Sequence, residues 1–202
     1  MKLYYSPGAC SLSPHIALAE AGLAYTLEKV DLKTKKTETG ADFLAINPAG
    51  YVPALVLDNG EILTEGPAIV QYIADQVPAR KLTPAAGSFE RVRLQEALNF
   101  VSTELHKSFS PLFNPAAPEE WKTVVRGLIG RRLDVIEMKL AGRDYLTGEF
   151  AVVDGYLFTV LGWGRMVGID VNEGRPLVAA YLKRVGARPA VQQAMREEGL
   201  IK

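Results

Sequence analysis

Pro53 narrows what this chain can fold into more than any other residue. It stands inside the apolar run Val52-Pro53-Ala54-Leu55-Val56-Leu57, and proline, lacking an N–H, belongs only at the start or edge of a strand. Its surroundings are as directive. Asn47-Pro48-Ala49-Gly50 signals a turn before the run, and Asp58-Asn59-Gly60 after it supplies the left-handed residues of a tight hairpin. Glu61–Thr64 returns as the second strand. Gly66-Pro67 then opens a helix, with Pro67 at the first helical position, where its missing N–H costs nothing. Ala68, Ile69, Tyr72, Ile73 and Val77 give that helix its apolar face. A trans proline starting a strand is the common arrangement, since cis is ~5–6% of X–Pro bonds. A cis Val52–Pro53 bond would instead turn the N–H and C=O of Val52 outward, able to pair with an extended peptide.

Upstream, Lys2–Tyr5 reads as a strand ended by Ser6-Pro7-Gly8, and Ser11-Leu12-Ser13-Pro14 opens a helix that Gly22 closes. Leu12, Ile16, Ala19 and Leu23 are its buried stripe. Cys10 therefore lies just before a helix N-terminus, where N–H groups and the helix dipole stabilise a thiolate. Cys10-Ser11-Leu12-Ser13 has the place and spacing of a thioredoxin-type redox motif, with serine where a resolving cysteine would stand. A single cysteine is otherwise most often a small buried hydrophobe. By the same default, Tyr4 and Tyr5 are strand packing and Ser11 is a helix cap. Tyr25–Asp31 forms a second strand. Lys33, Lys35 and Lys36 follow it as a solvated face, from which one lysine can meet a peptide's terminal carboxylate. Backbone N–H groups at Gly66 suit an α-carboxylate, and Glu65 suits an α-ammonium unless it is a plain helix-end charge.

Composition closes off several classes of function. Lys+Arg and Asp+Glu both number 23 among 202 residues, so no net field draws nucleic acid or an acidic membrane surface. No apolar run approaches the ~20 residues that span a bilayer, and the segment after Met1-Lys2 is too short for a signal peptide's apolar region. The one cysteine excludes an internal disulfide and fits a reducing cytoplasm. One Cys and two distant His offer no metal site.

Pro78–Gly87 is a turn-rich linker, and from Ser88 to Lys202 the periods are helical with no convincing strand. Leu94, Leu98, Val101 and Leu105 make one apolar stripe. Asn99, Thr103 and His106 make a polar stripe beside it, by default solvated. Ser108–Pro118 reads as a helix break, Glu119–Leu140 and Val152–Val167 as helices, and the remainder as two short helices divided near Arg188-Pro189. Trp163, Tyr156 and Phe109 read as core.

The unit of turn, Val-Pro, hairpin, Glu-Gly-Pro and helix resembles the glutathione-binding half of glutathione transferases, and with Cys10 the bacterial beta class. The resemblance extends over nearly the whole chain. It implies an α/β thioredoxin-like N-terminal domain over 1–80, with a cis Pro53, and an all-α C-terminal domain over 88–202 that carries the electrophile site and much of a homodimer interface. It implies glutathione as co-substrate, a small electrophile as second substrate, no metal, and no nucleic-acid or membrane partner. Glutathione-binding positions would be Cys10, Lys35, Val52, Pro53, Glu65, Gly66, Asn99, Thr103, Glu104 and His106, some acting across the dimer interface, with Lys107 next in line. Catalytic candidates are Cys10, His106, Ser11 and Tyr5: Cys10, Ser11 and Tyr5 are the alternatives for contact with the glutathione sulfur, and Ser11, His106 and the helix N-terminus can stabilise its thiolate. The expected activity is conjugation of the glutathione thiolate, with a thiol-disulfide or peroxidase side activity. The alternatives are a Cys10-based glutathione-dependent oxidoreductase and a non-catalytic ligand-binding protein of the same fold. In one place the chain departs from the family: Phe150-Ala151-Val152-Val153-Asp154 has Ala151 where a Ser or Thr usually caps the core helix.

Overall fold

A computed structural model describes residues 1–202. Five strands and nine α-helices follow in the order β1 (Lys2–Tyr5), α1 (Leu12–Ala21), β2 (Thr26–Asp31), β3 (Lys36–Thr37), α2 (Phe43–Ile46), β4 (Ala54–Val56), β5 (Ile62–Thr64) and α3 (Gly66–Asp75). The helical part continues as α4 (Phe89–Phe100), a π-helical segment Val101–His106, α5 (Lys107–Phe113), α6 (Glu119–Lys139), α7 (Val152–Gly162), α8 (Pro176–Gly186) and α9 (Pro189–Glu197).

The chain divides into two compact units, Met1–Leu82 with Arg188–Lys202, and Thr83–Ala187. The first is a mixed sheet in the order β3-β2-β1-β4-β5, parallel only between β1 and β2. Alternation along β1 sends Tyr4 to a cluster with Phe43, Val30, Val52 and Ala54, and Leu3 and Tyr5 to the other face. α1 packs against both α3 and α9. The C-terminal segment thus belongs with the α/β unit, where the sequence pattern assigns it to the helical one. Long-range polar pairs hold it there: Arg188 reaches Glu20 at 2.6 Å, and Glu197 and Glu198 reach His15.

The local chemistry of the hairpin unit forms as its residues dictate, with shifts of one position. Gly60 takes φ +87° in the turn, and α3 starts at Gly66, so Pro67 is its second residue. The buried face of α3 is Ile69, Val70, Ile73 and Ala74. Ala68 is exposed and Tyr72 half-buried, because packing on α1 turns the helix one residue away from the predicted stripe.

In the second unit the apolar stripe Leu94, Leu98, Val101, Leu105 is fully buried and continues into Phe109. The predicted break over Ser108–Pro118 is shorter than its prolines suggest. Pro111 sits inside α5, which ends only at Phe113; Ser108 supports the passage by donating its hydroxyl to the Glu104 carbonyl at 2.7 Å. α7 ends at Gly162, followed by a 3-10 turn at Trp163–Met166. Gly164 has to be glycine there: a Cβ would meet the Ile169 carbonyl oxygen at 2.6 Å. Trp163, Tyr156 and Phe109 are buried, as their patterning predicts.

Candidate functional site

The register of the sheet collects the candidate residues of the first unit. Tyr4 pairs with Ala54, and Ala54 pairs with Thr64. The next row across the sheet is therefore Tyr5, Pro53 and Glu65, all at the end from which the Ser6–Ser11 loop departs. The Val52–Pro53 bond in this row is cis.

Cys10 lies two residues before α1, with Ser11 in the N-cap position. Its Sγ donates to the Val52 carbonyl at 3.1 Å, joining two features that are 42 residues apart in sequence. The N–H of Val52 makes no hydrogen bond within the chain, and its side chain is buried, so the residue offers backbone alone to a partner. Lys35 comes to the same turn: its Nζ donates to the Gly50 carbonyl at 2.8 Å and lies 5.7 Å from the centre of the Tyr51 ring. Asn47 shapes the turn from inside, donating from Nδ2 to the Tyr51 carbonyl and accepting from the Ala49 N–H.

Ser11 is fully buried and makes no capping bond to α1. Its hydroxyl instead accepts from the Ser6 N–H at 3.1 Å and donates to the Ser6 carbonyl at 3.3 Å, closing the loop that carries Cys10. Burial raises the pKa of the Tyr5 phenol, with Glu38, Glu198 and Glu197 adding to the effect, so Tyr5 keeps its proton at neutral pH. Its ring centre is 6.3 Å from that of His15.

Glu65 is the N-cap of α3 at φ +66°, ψ +110°, and makes no side-chain cap bond. A non-glycine residue in that backbone region is held there against its preference, at ~1–3 kcal/mol, and such positions cluster at ligand sites. Ala68 and Ile69 donate their N–H groups to the Glu65 carbonyl at 3.0 Å and Pro67 has none, which leaves the Gly66 N–H as the helix-start donor for an anion.

In the second unit Asn99 and Thr103 are exposed, and the Thr103 hydroxyl donates to the Asn99 carbonyl. Glu104 is held by Arg132, whose Nε and second guanidinium nitrogen lie at 2.7 and 2.6 Å. The wider turn of the π-helical segment takes His106 out of line with them. Its Nδ1 is 2.6 Å from the Tyr156 hydroxyl, and its ring stands edge-on to Trp163 at 4.8 Å between centres. Burial, then the Lys107 charge beside it, lowers the pKa of His106 to about 4. Lys107 is exposed.

Sequence patterning misses one support of the candidate residues in each unit. One is Tyr156, which reads as plain core. The other is the carboxylate of Glu198, which accepts from the Gly8 N–H at 2.8 Å and lies 3.0 Å from His15 Nδ1. Glu197 takes His15 Nε2 at 2.6 Å and the Tyr25 hydroxyl at 2.7 Å. The partners His15 and Glu198 are 183 residues apart, and no local signal links them.

Comparison with known proteins gives this arrangement its family. The N-terminal domain family of glutathione S-transferases matches residues 8–76 and the C-terminal domain family matches residues 100–189. The glutathione S-transferase GstA of Escherichia coli O157:H7 is 48% identical over 201 residues, covering 99% of this chain and all of that one. A sphingomonad glutathione S-transferase solved in complex with glutathione is 51% identical, with TM-score 0.95 over the whole of both chains. The beta-class enzyme of Sphingomonas chungbukensis is 50% identical, with TM-score 0.96, again over the whole of both. A thioredoxin-like unit with a cis proline beside a cysteine at a helix start, followed by a helical unit, places this chain in the glutathione S-transferase family.

Proposed function

We propose that the chain binds glutathione on its first unit and transfers the glutathione sulfur to a small electrophile. The observation that carries this reading is the meeting of the Cys10 thiol with the Val52 carbonyl, beside an unbonded Val52 N–H. An extended peptide pairing with Val52 next to Pro53 brings its central thiol to Cys10. Its α-carboxylate goes to the N–H of Gly66 and its α-ammonium to Glu65. Its far carboxylate takes Lys35, which exchanges the Gly50 carbonyl for a stronger, charged partner.

Conjugation then needs a thiolate and a held geometry. The sulfur's electron pair forms the new C–S bond as the leaving group departs, and catalysis comes from a lowered thiol pKa and from positioning. His106 stays a catalytic candidate of the second unit, as a neutral imidazole at neutral pH. Ser11 acts indirectly, holding the Cys10 loop through Ser6, and Tyr5 contributes its protonated phenol at the sheet's end. The active form is a homodimer in which Asn99, Thr103 and Glu104 complete the partner's site. Exposed Phe89 and Val92 on α4 supply apolar surface for that interface. The protein works in the cytoplasm, without a metal. No helix is long and apolar enough to cross a membrane.

Disulfide exchange is a second activity of the same geometry. The Cys10 thiolate attacks one sulfur of oxidised glutathione, forms a mixed disulfide and releases the other half as thiolate. A second glutathione thiolate must then free Cys10, because the chain has no other cysteine. The deciding experiment is retention on immobilised glutathione together with turnover of a chloronitrobenzene and of a mixed disulfide. Retention with both turnovers is expected; retention without turnover would make the chain a binding module.

A further inference from the structure

We propose that Tyr51 is a specificity-determining residue: its ring face holds the Lys35 ammonium ready for the far carboxylate of the bound peptide, so that the site prefers ligands charged at that end. The proposal rests on the reading of Val52 and Lys35 as groups that receive glutathione. Every residue it uses lies in the first unit.

Tyr51 is 70% exposed, although it directly precedes the buried Val52. Exposure alone assigns it nothing, but its face is occupied. Lys35 Nζ lies 5.7 Å from the ring centre, within reach of a cation–π attraction. The ring's backbone is fixed from behind, where Asn47 Nδ2 donates to the Tyr51 carbonyl at 2.7 Å and the Gly50 N–H donates to the Asn47 carbonyl at 2.8 Å. Lys35 differs from the lysines around it in the same way. Lys33 and Lys36 are exposed, whereas Lys35 is half-buried. Its backbone stands at φ +57°, held by its N–H on the Asp31 carbonyl and by the Phe43 N–H on its own carbonyl, each at 2.8 Å. Its stem crosses Gly50, where a Cβ would lie 3.4 Å from Lys35 Cε and 3.1 Å from Leu44 Cδ2. Its head group sits on the Gly50 carbonyl at 2.8 Å. A free lysine side chain loses rotamer freedom when it pairs with a ligand; here most of that loss is already taken in folding. Exchanging the neutral Gly50 carbonyl for a carboxylate strengthens the bond, while the ring face keeps the ammonium in place. An uncharged end group gains far less from the exchange, so the pair selects for charge.

The test is calorimetric titration of the whole protein with glutathione and with glutathione monoethyl ester, in which the glycine carboxylate is capped and uncharged. The wild type should bind glutathione about tenfold more tightly than the ester, the scale of one hydrogen bond between charged groups. Lys35→Met should bind the two alike. Tyr51→Ala should weaken glutathione about two- to fivefold, the scale of a partly exposed cation–π pair, and leave the affinity for the ester unchanged. Tyr51→Leu, which has apolar bulk without a ring face, should behave as Tyr51→Ala, and Tyr51→Phe should restore the preference. Added to Lys35→Met, Tyr51→Ala should change neither affinity, the mark of two residues that act as a pair. A Tyr51→Ala protein that keeps the full preference, or the same loss with and without Lys35, overturns the role of Tyr51. A wild type that binds both ligands equally overturns it through Lys35. A wild type that binds neither overturns the glutathione reading itself, and the role of Tyr51 with it.

Discussion

His106 and Cys10 are the two residues whose ionisation matters most, and their surroundings separate their roles. The folded pKa of His106 is about 4 against an ordinary 6.5. Between those values the unfolded chain binds a proton that the folded chain does not, so stability rises with pH across that window. His106 thus contributes fully above about pH 6.5, and the contribution is lost as pH falls toward 4. At ~1.4 kcal/mol per unit the loss is at most about 3.5 kcal/mol. Melting curves from pH 7 to 4.5 should fall more steeply for the wild type than for His106→Gln, and parallel curves would place the imidazole in solvent. For Cys10 the expectation concerns two chemistries. Its thiol lies where it can bond covalently to glutathione, yet conjugation uses the sulfur of glutathione itself. Cys10→Ala should abolish disulfide exchange and keep a measurable part of conjugation. Intact mass after incubation with oxidised glutathione should show one adduct on the wild type and none on the variant. Equal loss of both activities with binding retained would make Cys10 necessary to conjugation as well.

Among the elements, α7 shows how a departure from pattern is absorbed. Ala151 stands at its N-cap with only a methyl group, so half of the capping box is present: the Ala151 N–H donates to Asp154 Oδ2 at 2.8 Å, with no hydroxyl to answer it. Asp154 compensates by also binding the Leu146 N–H and the Tyr181 hydroxyl, each at 3.0 Å. Ala151→Ser should add ~0.5–2 kcal/mol, which for a chain of this size means a Tm several degrees higher at about 2–4 °C per kcal/mol, with activity unchanged. Ala151→Thr should gain less than Ser because the site is 4% exposed and has little room for a second γ atom. No gain from Ser would mean that the N–H of Asp154, which already reaches the Ala151 carbonyl at 2.9 Å, is fully satisfied. Elements whose signals are local were legible in the sequence: β1, α1 with its left-handed Gly22, the hairpin and the start of α3. The two-residue β3 and one-turn α2 were not, being too short to carry a period. Nor was the π-helical segment, since a sequence repeat counted at 3.6 residues passes over a wider turn.

For the whole molecule, the two-part architecture is visible as a change from turns and short apolar runs to helical periods near the linker. The destination of Arg188–Lys202 is not, because α9 has the same amphipathic pattern whichever unit it joins. What decides is a set of partners far away in sequence: Glu20, His15 and the N–H of Gly8. The candidate site was legible where a residue's role is written in its own neighbours, as at Pro53, Glu65 and Cys10, and hidden where another segment supplies the support, as Tyr156 does for His106. The proposed dimer is tested at this scale. Sedimentation at assay concentration should show a single species of about twice the 22.0 kDa chain mass, and a fully active monomer would remove Asn99, Thr103 and Glu104 from any partner's site.

The joining of Arg188–Lys202 to Met1–Leu82 also sets an order of events during synthesis. The ribosome makes the whole of Thr83–Ala187 before it makes the carboxylates that hold His15 and the Gly8 turn. Domains usually fold as units while they emerge, the earliest-made first. Here the first-made segment must wait, and the helical unit, whose sequence is continuous, can mature ahead of it. Nascent chains arrested before Arg188 should therefore resist proteolysis over Thr83–Ala187 yet fail to bind immobilised glutathione, and chains extended through Lys202 should do both. Binding by the arrested chains would show that the Cys10 loop sets without its late-made anchor. Otherwise, the cell meets a competent thiol site only on copies in which Glu198 has already been made.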